Sequence, residues 1–159
     1  MAADLKKTFL FADFAEEELE KTRSISRNTK ISRGEYAFHE GKPGDTLILL
    51  DLGTLNLTKK TAKGEEQELV HLGSGSYVGE MSLFEPGLRS ASGVAMENCQ
   101  VTLIPIPALL SLLDKNPSMA AKLYRRVAMG IAQRLKYMNE DFAALKNFLA
   151  GGKGPGPIS

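Results

Sequence analysis

The 159-residue chain has no tryptophan, one cysteine and two histidines. A lone Cys99 excludes an intramolecular disulfide framework. His39 and His71 lie far apart and read as polar strand residues rather than metal ligands. No apolar run is long enough for a membrane-spanning helix: LILLDL at 47–52 is short and broken by Asp51. The start, MAADLKKTF, lacks the apolar core of a secretory signal. Charge of one sign is also lacking, with 20 Lys and Arg against 19 Asp and Glu. That balance gives no reason to expect nucleic acid or an anionic membrane as partner. The spacings GxxxxGK[ST], HExxH, GxSxG and CxxC are absent, and glycines 73, 75 and 79 miss GxGxxG by one position. No catalytic triad or carboxylate pair stands out. The expectation is a cytoplasmic protein that is not an enzyme and holds no metal.

What is present is ordinary globular material, 43% apolar and 25% charged, in a length that suits one domain. Residues 4–25 carry helical spacing, with Leu5, Phe9, Phe14 and Leu19 around the acidic run EEELE. Acids suit the positive end of the peptide dipoles, so a helix start is expected at Ala15 and the glutamates that follow. From Asn28 to Pro107 the pattern changes to short segments cut by glycine turns: TKIS, YAFH, TLILLDL, TLNLTKK, QELVHL, SASGVAM and CQVTLIPI. Many short strands with no helix between them predict an antiparallel sandwich or barrel. Cys99, among apolar residues at a strand start, reads as a small core side chain.

Beyond the strands a short helix is expected at 107–114, and Pro117 then suits the first turn of a longer one running to Ala150. Tyr124, Ala128, Ile131, Leu135, Met138, Phe142, Leu145 and Leu149 recur at alternating steps of four and three, an a/d seam. A helix of about 33 residues is roughly 50 Å long. It outreaches a barrel of about 100 residues, whose radius of gyration is near 13 Å. Its second half therefore needs another surface, and a second copy of the chain is the simplest one. The tail GGKGPGPIS, 151–159, reads as disordered.

The stretch GEMSLFEPGLRSAS, 79–92, carries the chemistry. Gly79 permits close approach of its amide to a ligand. Glu80 to Phe84 can form one helical turn that Glu85-Pro86-Gly87 ends. Arg89 supplies a permanent charge on a planar fork suited to phosphate or carboxylate. Ser90 and Ala91 add amides, and Ser90 a hydroxyl. An anion on those amides and on Arg89, with Glu80 accepting from a neighbouring hydroxyl, describes a sugar phosphate of low charge. From spacing alone the favoured reading is a Glu80–Arg89 salt bridge that merely closes a loop between two strands, since exposed ion pairs are common.

GEMSLFEPGLRSAS resembles the phosphate-binding cassette of cyclic nucleotide-binding domains, G-E-x-[AS]-L followed by R-[AST]-A. The flank GEYAFHEGKPGDTLILLDLGTLNL is similar to the family's glycine hairpins, and FADFAEEELEKT to its opening helices. The resemblance covers roughly residues 8–149. It implies a mainly β fold with flanking helices (α+β): an antiparallel β-roll or jelly-roll barrel with N-terminal helices and a long C-terminal helix. The domain would span 1–150, with the β-roll at 27–106 and the helices at 107–150. It further implies a regulatory sensor of cyclic AMP or cyclic GMP that relays binding through its C-terminal helix. Glu80 would bind the ribose 2′-hydroxyl and Arg89 an equatorial phosphate oxygen. The cassette's Gly79, Met81, Ser82, Ser90 and Ala91 would complete the ligand site, with Gly79, Ser90 and Ala91 lining the phosphate.

QRLKYMNEDFAALKNFLA is similar to the dimer helix of bacterial catabolite activator proteins. The positions that contact the base there across a homodimer match Met138 and Asn139. Those proteins carry Thr-Ser at that place, and Met138 cannot replace a threonine hydroxyl. They also continue into a helix-turn-helix segment with no counterpart in this sequence. The expectation is therefore either a free-standing sensor acting on a protein effector or a regulatory piece of a larger assembly, and not DNA reading by such a segment. Two other classes stay open: a dimerisation module that no longer binds nucleotide, and a sensor of another anion or of haem, for which His39, His71 and Cys99 would be the ligands.

Overall fold

The computed structural model describes residues 4–150. The opening segment is not one helix. A 3-10 turn, Leu5–Lys7, comes first, and helix α1 follows at Glu16–Ser24. Between them Leu10, Phe11 and Phe14 are buried, and the Phe11 and Phe14 rings meet edge to face at 5.2 Å. The apolar residues of 4–25 are thus gathered by a turn rather than by one helical face. The acidic start sits where expected: Ala15 is extended, and its amide donates to Glu18 Oε1 at 2.8 Å. This satisfies a donor next to the helix start, as a capping glutamate does.

Eight strands follow: β1 Arg27–Ile31, β2 Tyr36–Phe38, β3 Thr46–Leu52, β4 Leu55–Lys60, β5 Glu66–Leu72, β6 Tyr77–Val78, β7 Ser92–Ala95 and β8 Cys99–Pro105. They form two antiparallel sheets in the orders β1-β8-β3-β6 and β2-β7-β4-β5. The architecture is the expected antiparallel β-roll with flanking helices. Ile31, Ile48, Leu50, Leu55, Ala95, Cys99 and Val101 make the core between the sheets. Cys99 is therefore a core residue, as its setting implied. All seven segments read from the sequence contain a strand. The eighth, β6, was not among them; it has two residues, Tyr77 and Val78, paired with Leu49 and Ile48. Two residues are too few to carry an alternating pattern.

The return to helix is sharp. Ile106 donates its amide to the Asp45 carbonyl at 2.8 Å, which ties the first residue of α2, Ile106–Lys115, to the β2–β3 loop. Helix α3, Pro117–Leu149, has 33 residues and opens on Pro117. Its first turns pack with the other helices, for Leu19, Leu109, Leu113, Met119 and Leu123 are all buried. Lys122 pairs with Glu18, and Lys21 Nζ donates to Asn116 Oδ1 at 3.0 Å.

The chain divides after Leu123 into two compact units. The second unit is the remainder of α3. Along it Leu135, Met138, Phe142, Leu145 and Leu149 are between 52% and 74% exposed, so the expected seam is an unburied apolar row. The expected tail, 151–159, lies outside the described residues.

Candidate phosphate-binding cassette

Gly79 ends β6 and begins the site. It adopts φ 96° and ψ 4°, left-handed backbone that leads into a 3-10 turn at Glu80–Leu83. Glycine is required there twice over. The conformation disfavours an L side chain, and a Cβ would lie 2.7 Å from both Arg89 Nη1 and the Thr46 carbonyl oxygen. Ser82 donates its amide to Gly79, and Phe84 to Met81, which closes the turn. Leu83 is buried and anchors it, whereas Met81 is exposed. Glu80 is only 3% exposed, an unusual place for a carboxylate in a short turn.

The second half of the cassette is held by the β2–β3 loop. Gly41 donates its amide to the Arg89 carbonyl at 2.9 Å, and the Arg89 amide donates to the Lys42 carbonyl at 2.8 Å. Gly44 donates to the Gly87 carbonyl at 3.0 Å. Backbone bonds therefore close this loop, and a charge pair is not needed for that purpose. The Arg89 side chain is half-buried and donates from Nη2 to the Thr46 carbonyl at 2.7 Å. Burial pushes its pKa below the ordinary arginine value, while the charges of Asp45 and then Glu80 pull the other way. Arginine keeps its proton against such a shift, so the site holds a fixed cation with part of its hydration removed. Its guanidinium carbon lies 5.1 Å from the centre of the Phe38 ring. Ser90 is exposed, and Ala91 is buried at the entry to β7.

The structure thus brings Gly79, Glu80, Met81, Ser82, Arg89, Ser90 and Ala91 into one folded segment bounded by β6 and β7. Gly79 and Arg89 are nearly in contact, though ten positions separate them. Met138 and Asn139 stand exposed on α3, in the second unit. Phe38, Asp45 and Thr46 surround Arg89 and were not singled out by sequence. Asp45 stood there only within the flank GEYAFHEGKPGDTLILLDLGTLNL that resembles the family's glycine hairpins. Among the described residues no group of three or more His, Cys, Asp and Glu is placed to hold a metal ion. No helix among them is long and apolar enough to cross a membrane.

A family model, the cyclic nucleotide-binding domain, matches residues 28–116, from β1 through α2 and including the whole cassette. The chain belongs to the cyclic nucleotide-binding domain family. Curated relatives include the Cyclic AMP receptor protein of Thermus thermophilus, 33% identical over 127 residues. That alignment takes in 77% of this chain and 59% of the relative. The CRP-like cAMP-activated global transcriptional regulator of Mycobacterium tuberculosis is 30% identical over 71% of this chain and 49% of its own length. The chain therefore spans about half to three-fifths of these relatives.

Among solved structures, a cyclic nucleotide-binding domain from Methylobacillus flagellatus superposes with a TM-score of 0.75 at 29% identity. It covers 86% of this chain and 77% of that one. The Thermus thermophilus catabolite activator protein gives 0.74 at 29% identity, over 87% and 63%. As a cyclic nucleotide-binding domain, the chain has the buried acid and the half-buried arginine of its cassette in one turn-and-loop unit.

Proposed function

We propose that this domain is a non-catalytic sensor of a cyclic nucleotide monophosphate, cyclic AMP or cyclic GMP. Binding is relayed through α3 to a protein effector, with a homodimer formed along residues 131–149. The observation that carries the reading is the state of Arg89. A guanidinium held by a backbone carbonyl, half-buried and pressed against a left-handed glycine, is arranged to receive one anion at low desolvation cost. In this reading Arg89 takes an equatorial phosphate oxygen, with the amides of Gly79, Ser90 and Ala91 beside it. Glu80 accepts from the ribose 2′-hydroxyl, Met81 and Ser82 complete the cassette, and Met138 and Asn139 supply the base contact. One cation suits the single charge of a cyclic monophosphate; a triphosphate would need more.

Calorimetric titration with each nucleotide tests the reading. Binding of either, weakened about 10- to 100-fold in Arg89→Ala as befits a charge-assisted pair of about 1.5–3 kcal/mol, supports it. A folded chain that takes up neither nucleotide would overturn it in favour of a dimerisation module. A Soret band on adding haem would instead favour the third class.

A further inference from the structure

We infer that Phe38 is a positioning residue for Arg89, an aromatic platform set in place by a strand irregularity and a glycine seat. The inference rests on Arg89 being the phosphate ligand proposed above. Regular alternation along β2 would put Tyr36 and Phe38 on the same face of the sheet. The register says otherwise: Tyr36 stands opposite Val94, and Phe38 opposite Gly93, one position on rather than two. An extra residue in β2 therefore turns Phe38 to the side of Gly93 and Ala95. That is the core side, and Phe38 packs on the core cluster while Tyr36 stays 43% exposed. Re-aiming a side chain is what a bulge does, and bulges gather near functional sites.

Gly93 is the seat. A Cβ there would lie 2.5 Å from Phe38 Cε1 and 2.7 Å from Cζ, so the ring rests on bare backbone of β7. The ring in turn has the Arg89 guanidinium carbon 5.1 Å from its centre. Backbone from other parts of the chain holds the Arg89 side chain as well. A Cβ at Gly44 would come within 3.3 Å of Arg89 Cδ, one at Gly79 within 2.7 Å of Nη1, and the Thr46 carbonyl holds Nη2.

The chemistry favours an aromatic in this place. A carboxylate against the guanidinium would neutralise it and occupy the fork that a phosphate needs. A ring face attracts the cation through its quadrupole while leaving the N–H donors free to point elsewhere. Phe38 thus compensates part of the hydration that Arg89 loses on burial without competing with the ligand.

The test is a double-mutant cycle read by calorimetry with cyclic AMP and cyclic GMP. Phe38→Leu keeps an apolar side chain and removes the ring face. It should weaken binding by about 3- to 20-fold, the usual strength of a cation over an aromatic ring. In the Arg89→Ala background the same change should alter affinity less than twofold, because no cation remains to position. Equal losses in the two backgrounds, or no loss in the first, would overturn the inference, since a merely structural role acts regardless of Arg89. Should Phe38→Leu not fold, the wild-type chain still decides. Its Arg89 Nε–Hε resonance should carry a ring-current shift, and an unshifted resonance overturns the inference. If the wild type binds neither nucleotide but shows that shift, the functional reading fails while the platform stands.

Discussion

Gly79→Ala is the sharpest probe of the cassette, because two separate physical costs fall on one methyl group. The first is conformational. At φ 96° an alanine pays the left-handed penalty, about 1–2 kcal/mol. The second is steric. Arg89 Nη1 is the far end of a flexible side chain and can retreat from the methyl, but the Thr46 oxygen, also 2.7 Å away, belongs to the backbone of β3. Forcing that backbone aside is overpacking, typically about 1–3 kcal/mol. Together about 2–5 kcal/mol is expected, a large part of the roughly 5–15 kcal/mol by which a domain is stable.

Gly41→Ala is the control. Gly41 has φ 80° with nothing within 4 Å of its would-be Cβ, so only the conformational cost applies there. Urea unfolding of both variants separates the two terms: with slopes of about 1–3 kcal/mol per molar, Gly79→Ala should unfold at a midpoint lower than the control by roughly 1 M. The folded fraction of Gly79→Ala should also bind cyclic nucleotide at least about tenfold more weakly, since Arg89 has been pushed off the Thr46 carbonyl and the fork is misaimed. Equal midpoints for the two variants would refute the close packing of Gly79 on β3.

Wild-type protein should bind the 2′-deoxy cyclic nucleotide more weakly than the parent, and Glu80→Gln should shrink that preference, because the amide keeps one acceptor but loses the charge; equal affinities in the wild type would take Glu80 out of the ribose contact. Leu135→Asp, placed in the exposed apolar row of α3, should shift sedimentation equilibrium toward monomer, as a carboxylate buried without a partner costs several kcal/mol; an unchanged mass would leave the row without a role in self-association. Glu18 should contribute to the acid limb of stability. Burial pushes its pKa up, but the Lys122 hydrogen bond, the Ala15 amide and the charges of Lys122 and Lys21 outweigh this and hold it below the ordinary carboxylate value. A depressed folded pKa means stabilisation present above the unfolded value and lost as pH falls through the folded one. Urea midpoints from pH 7 down to pH 3 should therefore drop less steeply in Glu18→Gln, and parallel curves would remove Glu18 from the acid response.

The local elements were largely legible in the amino-acid order because each carries its own signal. The acids at 16–18 open α1, Pro117 opens α3, and glycine turns bound the seven strand segments. The cassette was legible for the same reason, since Gly79, Glu80 and Arg89 lie within one short turn and loop. What depends on a partner strand was decided only in three dimensions. β6 exists because β3 offers it two places, and the inward turn of Phe38 exists because β7 is read one residue out of step. The surroundings of Arg89 are of the same kind: the carbonyl that receives its Nη2 belongs to Thr46, 43 positions earlier. A charged pair can be guessed from neighbouring letters, and Glu80 was the obvious partner for Arg89. Yet Asp45 exerts the larger pull, because the glycine-lined β2–β3 loop folds back onto the cassette through three backbone hydrogen bonds. Residue types and turns along the chain were enough to mark out the cassette. The tertiary structure decided which groups stand around the arginine, since contacts across so long a stretch of chain depend on sheet register and loop closure, and neither leaves a periodic trace in the letters.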